Sequence, residues 1–195
     1  MVEPVSGAPW SGPVDEVPVP GVVYAPLPRH EDGRGWFVKA FQASRIEAAG
    51  GEGRVREVYL SSSQRGALRG LHFQVPPHDH AKTVVCLSGA VVDVVVDLRA
   101  GSPAEGRAVR FRLDGAAPGQ LHLPPGVAHG FQALVDDTIV AYVVSTEHAP
   151  EHDRGIRWDS VGVTWPLPPT AISGRDRGFP PLDRFRSPFT YVADG

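Results

Sequence analysis

The segment Arg69-Gly70-Leu71-His72-Phe73-Gln74 carries a guanidinium, an imidazole and a carboxamide close together. Its residue types predict a strand, in which alternate side chains point to opposite faces, so that His72 and Gln74 share a face. Arg69 falls on the other face. A β-bulge at Gly70 would turn Arg69 toward His72, because glycine tolerates the irregular backbone of a bulge. A strand that only built a sheet would not need these polar groups, and we therefore expect them to line a cavity.

Two further polar residues lie in strands that are otherwise apolar. Lys82 interrupts the apolar segment 81–87, and lysine is rarely buried without a function. Tyr142 lies among the aliphatic residues of segment 138–144. A base, a cation and a phenol in one cavity suit the removal of a proton next to a carbonyl. The imidazole takes the proton, the cation stabilises the enolate oxygen and the phenol returns a proton.

Each of these residues also has a purely structural interpretation. His72 alone would most simply be a hydrogen-bonded core histidine, and Tyr142 a core tyrosine whose hydroxyl binds a backbone carbonyl. The acid–base interpretation is favoured because Arg69, Gln74 and Lys82 lie on the same strand as His72 or on the next one.

A metal site is the second interpretation of the histidines. Four of them could supply imidazole ligands: His72, His78, His80 and His129. The segment 124–129 (Pro-Pro-Gly-Val-Ala-His) is similar to the second metal-binding motif of cupins. The first cupin motif needs a glutamate shortly after its paired histidines, whereas Ala81-Lys82-Thr83-Val84 follow His80, and a lysine there repels a divalent cation. We therefore expect neither a metal nor another cofactor.

A sugar-binding module without catalysis is the third interpretation. Four aromatic residues could stack on a sugar or a base: Trp36, Phe37, Trp158 and Trp165. Aromatic residues in strands belong to the core more often than to a binding surface, so this interpretation ranks behind proton abstraction.

The composition limits the class of protein. A chain of 195 residues with 42% hydrophobic and 21% charged residues suits one globular domain. The net charge of −3 argues against a nucleic-acid binder or a protein of anionic membranes. A single cysteine, Cys86, excludes an internal disulfide and suits a reducing compartment. No apolar segment reaches membrane-spanning length and the start lacks a leader pattern, so we expect a cytoplasmic protein.

The elements that must position these residues are strands. The 22 glycines and 20 prolines, with few helical patterns, predict about eight to ten short strands joined by tight turns, as in a sandwich or jelly roll. We expect a loosely ordered arm over residues 1–20, followed by one domain over residues 21–195. The segment Gly21 to Leu27 predicts an edge strand because Pro26 cannot donate to a ladder.

Around the first strands, the residues 30–35 predict a turn and Trp36 to Phe41 a strand. Ser44 and Glu47 have capping-box spacing and predict one short helix that Gly50-Gly51 end.

Several motifs occur in an order and spacing that is specific when they are taken together. They are Asp-Gly-Arg-Gly-Trp-Phe at 32–37, Leu-Arg-Gly-Leu-His-Phe-Gln at 68–74, Asp-Val-Val-Val-Asp-Leu-Arg at 93–99 with Ser102-Pro103, Pro-Gly-Val-Ala-His-Gly-Phe at 125–131, Gly-Ile-Arg-Trp-Asp at 155–159, Trp165-Pro166 and Ser-Gly-Arg-Asp at 173–176. Through them, from about Gly21 to Leu182, the chain resembles the dTDP-4-dehydrorhamnose 3,5-epimerase family of cupin-fold nucleotide-sugar epimerases.

The resemblance implies a cupin-type jelly roll (a double-stranded β-helix) with short peripheral helices, which forms a homodimer. It also implies a nucleotide-linked, dTDP-type 4-keto-6-deoxyhexose as substrate, epimerised at carbon 3, carbon 5 or both through an enolate. By motif, His72 would be the base, Asp176 its orienting carboxylate and Tyr142 the acid on the opposite face of the sugar. Lys82 and Arg69 would stabilise the enolate.

The resemblance also implies a set of substrate-binding residues. They are Arg34, Glu57, Tyr59, Arg69, Gln74, His129 and Trp165. Arg34 would come from the partner subunit, because the N-terminal strands of the two subunits would be exchanged.

The chain departs from the family pattern at positions that touch the sugar or the nucleobase in the family. Glu57-Val58-Tyr59 stands where the rhamnose enzymes have Gln-x-Asn, Lys39 stands in place of a glutamate, and Glu147-His148 replaces an aromatic pair. These departures leave open two alternatives: an epimerase that inverts a single centre in a deoxysugar pathway of secondary metabolism, and a sugar-nucleotide-binding cupin without catalysis.

Overall fold

The computed structural model describes residues 19–193, so the predicted arm lies outside the described residues apart from its last two, Val19 and Pro20. Within the described part, the chain forms two short α-helices, α1 (Ala43–Ala48) and α2 (Gly174–Gly178), a 3₁₀ turn at Leu182–Arg184 and a set of short strands. The strands are β1 (Val23–Pro26), β2 (Arg29–Asp32), β3 (Gly35–Val38), β4 (Glu57–Ser63), β5 (Leu68–Gln74), β6 (Lys82–Ser88), β7 (Ala90–Asp97), β8 (Ala108–Asp114), β9 (Gly119–Leu123), β10 (Val127–Ala133), β11 (Thr138–Val144) and β12 (Asp153–Gly155).

The strands build two five-stranded antiparallel sheets. The first has the order β1-β9-β6-β11-β4 and the second the order β12-β5-β10-β7-β8, while β2 and β3 form a separate hairpin. Except for the consecutive strands β7 and β8, neighbours in each sheet are not consecutive in the chain, as the long connections of a jelly roll require. The all-β prediction is confirmed, and the predicted edge strand is β1 at one end of the first sheet.

Apolar side chains fill the space between the sheets and also cover the outer face of the second sheet. Val91 and Val95 of β7 pack in the inner cluster, whereas Val92, Val94 and Val96 pack outward against a second cluster that includes Ile156 and Phe189. Strand β7 is therefore buried along its whole length, which explains its nearly continuous run of valines. Each such side chain stabilises the fold by roughly 1.5–3 kcal/mol.

A bulge interrupts the pairing of β5 with β10 at the position that the sequence predicts. His72 pairs with His129 and Arg69 with Phe131, so Gly70 and Leu71 together oppose Gly130 alone. Gly70 has φ +128°, and a Cβ atom there would lie 2.5 Å from the Cα atom of Gly130. Only glycine fits this close approach of two backbones, and the extra residue turns Arg69 toward the same cavity as His72.

The N-terminal elements differ from the prediction in three respects. The predicted turn 30–35 is largely strand β2, because these residues pair with β3 and leave only Gly33 and Arg34 as the turn. Strand β3 ends at Val38 and does not reach Phe41. Helix α1 begins at Ala43, so Ser44 lies inside it and the N-cap is Gln42, which makes no capping hydrogen bond through its side chain. The capping-box prediction was therefore wrong.

The C-terminal part contains two elements that the sequence did not predict. Strand β12 pairs with the edge of β5, and α2 follows Ser173, whose hydroxyl accepts a hydrogen bond from the backbone N–H of Asp176. Both elements are too short for a periodic pattern. Between residues 19 and 193, no helix is long and apolar enough to cross a membrane.

Candidate active site

A cavity of about 400 Å³ lies between the two sheets, a size that suits a small-molecule ligand. Strands β4, β6 and β11 of the first sheet form one wall, and β5, β10 and β12 of the second sheet form the other. Eight of the predicted site residues line it: Glu57, Tyr59, Arg69, His72, Gln74, Lys82, His129 and Tyr142.

His72 and Asp176 form a dyad at the wall of the second sheet. His72 Nε2 lies 2.7 Å from Asp176 Oδ1, and the other carboxylate oxygen of Asp176 accepts a hydrogen bond from Gly70 N at 3.1 Å. The side chain of His72 is 29% exposed, whereas that of Asp176 is 5% exposed. With Asp176 ionised, Nε2 carries the proton and donates it to the carboxylate, so the lone pair of the neutral imidazole lies on Nδ1.

The surroundings of Asp176 keep its carboxylate charged. Burial acts to raise the pKa of Asp176, but the hydrogen bond and charge of His72 and the Gly70 N–H together hold that pKa below its usual range. Helix α2 sets the position of the carboxylate, because Ser173 caps the turn that carries Asp176. A charged partner of this kind stabilises the imidazolium that forms when His72 takes a proton.

His129 and Asp93 form a second pair beside the first. His129 Nε2 lies 2.7 Å from Asp93 Oδ2, and the side chains are 4% and 0% exposed. Burial raises the pKa of Asp93 and lowers the pKa of His129, so these surroundings disfavour a charge-separated pair. The other oxygen of Asp93 has no hydrogen-bond partner in the described part of the chain. This pair is therefore a poorer proton acceptor than the dyad of His72.

Lys82 is the buried cation of the cavity. Lys82 is the first residue of strand β6 and is 7% exposed. Burial lowers the pKa of Lys82 to about 8, although the nearby carboxylates of Asp153 and Asp93 act in the opposite direction. Among residues 19–193 the ammonium group makes no hydrogen bond or ion pair. It is therefore available to a negatively charged oxygen of a ligand.

Tyr142 lies on the opposite wall, in strand β11. Its hydroxyl is 3.2 Å from Ser61 Oγ, and its ring stacks on Tyr59 with 4.6 Å between the ring centroids. Burial raises the pKa of Tyr142, and the Ser61 hydrogen bond and the charge of Arg69 oppose this only in part. The phenol is therefore protonated at neutral pH and can donate. The charge of Arg69 is the nearby positive charge that favours its ionisation.

Two predicted binding residues, Gln74 and Arg69, are held by hydrogen bonds to the protein. Gln74 Nε2 lies 2.7 Å from His78 O and 3.1 Å from His80 Nδ1, and Gln74 Oε1 accepts from Ala149 N at 2.6 Å. Burial, together with the charge of Lys82, lowers the pKa of His80 to about 3, so His80 is neutral and can accept. Gln74 thus joins two loops at the cavity. Arg69 Nε donates to Ser63 Oγ at 3.0 Å.

Arg34 and Trp165 are not brought to this cavity. Arg34 is at the turn of the β2–β3 hairpin, where its side chain is 90% exposed and pairs with Asp32 at 2.5 Å. Trp165 packs against the apolar cluster outside the second sheet, and its Nε1 donates to Trp158 O at 3.1 Å. The structure of a single chain therefore gives neither residue a contact with a ligand in this cavity.

Other cavity residues were missed by the sequence analysis. Arg175 lines the cavity next to the dyad and pairs with Asp153 at 2.6 Å. Its position directly before Asp176 was a signal that could have found it. Ser61 could not be found in this way, because a serine within a strand has no distinctive pattern.

No group of three or more His, Cys, Asp or Glu side chains in the described residues could hold a metal ion. The other three histidines that were considered as ligands make different contacts. The ring of His78 lies against that of His152, His80 is hydrogen-bonded to Gln74, and His129 is hydrogen-bonded to Asp93. The absence of a metal in the working protein stays a prediction.

The arrangement suits acid–base chemistry on both faces of a bound ring. The imidazole of His72 is on one wall and the phenol of Tyr142 is on the other, with the cations Lys82 and Arg69 in the same cavity. A proton can be removed on one side, the resulting oxyanion can be stabilised, and a proton can be delivered on the other side.

Known proteins resemble this chain over most of its length. The family profile of dTDP-4-dehydrorhamnose 3,5-epimerase matches residues 16–184. The dTDP-4-dehydrorhamnose 3,5-epimerase of Sinorhizobium fredii is 39% identical over 165 residues, which cover 83% of this chain and 85% of that protein. The dTDP-4-dehydrorhamnose 3-epimerase of Streptomyces niveus is 38% identical over 75% of this chain and 72% of that protein.

A solved structure agrees with the fold. The dTDP-6-deoxy-D-glucose-3,5-epimerase of Legionella pneumophila, in complex with dTDP-4-keto-L-rhamnose, superposes with a TM-score of 0.84 at 33% identity and covers 89% of this chain and 95% of that chain. The similarity confirms the predicted cupin-type jelly roll.

Proposed function

The chain belongs to the dTDP-4-dehydrorhamnose 3,5-epimerase family, and from this premise we propose which residues of its cavity carry out the reaction. The protein is a carbohydrate epimerase of this family, acting on dTDP-linked 4-keto-6-deoxyhexoses. The observation that carries the assignment of roles is the hydrogen bond of 2.7 Å between His72 and the buried, ionised Asp176.

His72 is the base. Asp176 holds the proton of Nε2, so Nδ1 is free to remove a proton from a carbon next to the 4-keto group. Such a proton is acidic because the electrons of the broken C–H bond move into the carbonyl and form an enolate. The Asp176 carboxylate stabilises the imidazolium that results. A binding module without catalysis would not need a buried ion pair of this kind at its wall.

Lys82 and Arg69 stabilise the enolate. The ammonium of Lys82 makes no hydrogen bond to any of residues 19–193. Its pKa of about 8 leaves it cationic at neutral pH. A buried cation is more effective there than at the surface, because the surroundings screen its charge less. Glu57, Tyr59, Gln74 and His129 shape the remainder of the sugar site.

Tyr142 returns a proton on the opposite face, because one imidazole cannot remove and deliver a proton on both faces of the same carbon. Its protonated phenol, which is hydrogen-bonded to Ser61, lies on the wall that faces His72. Arg175, which lines the cavity with a half-exposed side chain, neutralises the diphosphate of the nucleotide.

The working form is a homodimer in which the β2–β3 hairpin of one subunit reaches the other. Two observations support this. Strand β4 is a sheet edge whose Val58 and Leu60 are 61% and 62% exposed, and the hairpin exposes Trp36 and Phe37. Exposed apolar edges invite pairing with another chain. Arg34 at the tip of the hairpin would then enter the partner's cavity. A cytoplasmic location remains a proposal, supported by the single cysteine.

The test is incorporation of solvent deuterium. dTDP-4-keto-6-deoxyglucose is incubated with the protein in deuterium oxide, and the label and configuration at carbons 3 and 5 are determined by NMR. Wild type should label and invert. His72→Ala should lower exchange on the order of a hundredfold or more, whereas Tyr142→Phe should retain exchange and lose inverted product. His78→Ala, outside the cavity wall, is the matched control and should behave as wild type. Exchange at the wild-type rate in a folded His72→Ala protein would refute the assignment.

A further inference from the structure

Tyr59 and Tyr142 form a stacked pair inside the cavity. They are direct partners in the antiparallel pairing of β4 with β11. Their ring centroids lie 4.6 Å apart and their planes differ by 16°. Both rings line the cavity, so the stack is part of the surface that meets the substrate.

Tyr142 is held on several sides. Tyr59 covers one face of its ring, and His129 meets the ring in an edge-on contact with 6.0 Å between centroids and 76° between planes. At the tip, the hydroxyl is bonded to Ser61 Oγ. Tyr59 and Ser61 lie two positions apart on β4, so one strand fixes both the ring and the hydroxyl of Tyr142.

A proton donor fixed in this way has a chemical consequence. A 4-keto sugar has an acidic carbon on each side of its carbonyl, and these two carbons occupy different places over the cavity wall. Inverting both needs a donor that reaches each carbon in turn on the face opposite the base. Inverting one needs only a donor that is well placed for that carbon.

We propose that Tyr59 is a positioning residue that confines the phenol of Tyr142, and that the enzyme therefore inverts one of the two carbons beside the 4-keto group. This proposal rests on the function proposed above and specifies its stereochemical outcome. Tyr59 acts through its ring, and its hydroxyl is not the proton donor.

The experiment compares wild type with three variants of one position. Tyr59→Phe keeps the stacked ring and removes the hydroxyl, Tyr59→Leu keeps apolar volume without an aromatic face, and Tyr59→Ala removes the side chain. Each is incubated with dTDP-4-keto-6-deoxyglucose in deuterium oxide. Proton NMR then gives the label and the configuration at both carbons over time, and circular dichroism checks the fold.

Wild type and Tyr59→Phe should invert one carbon only. Tyr59→Leu and Tyr59→Ala should invert the second carbon as well, at a rate at least about tenfold above that of wild type. A merely structural role would lower both rates together and leave their ratio unchanged.

Four outcomes would contradict the proposal. Inversion of both carbons by wild type refutes it and leaves the proposed function intact. The same holds if both Tyr59→Leu and Tyr59→Ala, correctly folded, still invert one carbon only. Loss of inversion in Tyr59→Phe would make the Tyr59 hydroxyl the donor and overturn its positioning role. Absence of exchange at either carbon with wild type is a different result, because it refutes the proposed function and this inference with it.

Discussion

His72 and His129 are direct cross-strand neighbours on β5 and β10. Each imidazole is hydrogen-bonded through Nε2 to an aspartate, His72 to Asp176 and His129 to Asp93. The two pairs differ in charge. The pKa of Asp176 is held below its usual range, whereas burial raises the pKa of Asp93. His72 is also partly exposed to the cavity, and His129 is almost completely buried. The same pair of residue types thus has a charged carboxylate beside the proposed base, His72, and surroundings that disfavour charge at His129 and Asp93.

Asp176→Asn should inactivate the enzyme without unfolding it. An asparagine amide can donate to His72 Nε2, which moves the imidazole proton to Nδ1 and removes the lone pair that faces the substrate. The equivalent change in a serine protease triad costs about 10⁴ in rate, and we expect a loss of at least about a hundredfold in exchange of the substrate C–H protons.

Asp183→Asn is the matched control, because Asp183 is exposed on the C-terminal 3₁₀ turn, Leu182–Arg184. It should exchange at the wild-type rate. An Asp176→Asn protein with normal circular dichroism and an unchanged exchange rate would contradict the role of Asp176.

Lys82 should limit activity at alkaline pH. Because its pKa in the folded protein is about 8, the ammonium loses its proton as the pH rises through that value and no longer stabilises the enolate. The profile of kcat/KM for the wild type should therefore fall above about pH 8. Lys82→Arg keeps its charge to a much higher pH, so its alkaline limb should move upward by more than about one unit. An identical limb in both proteins would assign it to another group.

Lys82→Met should stabilise the fold. The unfolded chain binds the Lys82 proton up to its ordinary pKa of 10.5, whereas the folded chain releases it near pH 8. The unfolded state therefore binds more protons between these values, and the buried charge costs stability below pH 8. The variant should gain at most about 3 kcal/mol at pH 7, and the gain should shrink as the pH rises to 10.5. Thermal unfolding at several pH values measures this, with Arg184→Met as the exposed control. An unchanged midpoint at pH 7 would contradict it.

Much of the site was predictable because strand periodicity and glycine chemistry are local. The bulge at Gly70 follows from a polar residue on the wrong face next to a glycine, and the structure brings Arg69 and His72 together through it. The side-chain contacts of Gln74 were not predictable, because they depend on the loops that hold His78 and Ala149. Nor could a single strand reveal that Tyr59 stacks on Tyr142, since their pairing joins positions far apart in the chain.

The helix boundaries show the limits of short motifs. Ser44 and Glu47 have the spacing of a capping box, yet tertiary packing of the buried Ile46 places Ser44 one residue inside α1. Ser173 and Asp176 have the same spacing, and there the Ser173 hydroxyl does accept a hydrogen bond from the Asp176 N–H, which positions Asp176. For these two short helices, tertiary packing decides where the helix begins.

In the proposed homodimer, each cavity would be completed by a residue of the partner subunit. If Arg34 of one subunit completes the site of the other, Arg34→Ala and His72→Ala should each be inactive as pure dimers, for reasons that lie in different subunits. In a mixed dimer, one cavity has an intact His72 from its own chain and an intact Arg34 from its partner. The other cavity lacks both.

Random exchange in an equal mixture of the two inactive proteins should then restore about a quarter of the wild-type activity, since half of the dimers are mixed and each has one complete cavity. The subunits are mixed after partial unfolding and refolding, and light scattering checks that dimers form. A mixture of His72→Ala with Asp176→Asn is the control and should stay inactive, because both changes damage the cavity of their own chain. Recovery in the control mixture would refute the test, whereas no recovery with Arg34→Ala would place Arg34 outside the partner's cavity. A monomer with full activity would exclude the exchange of hairpins altogether.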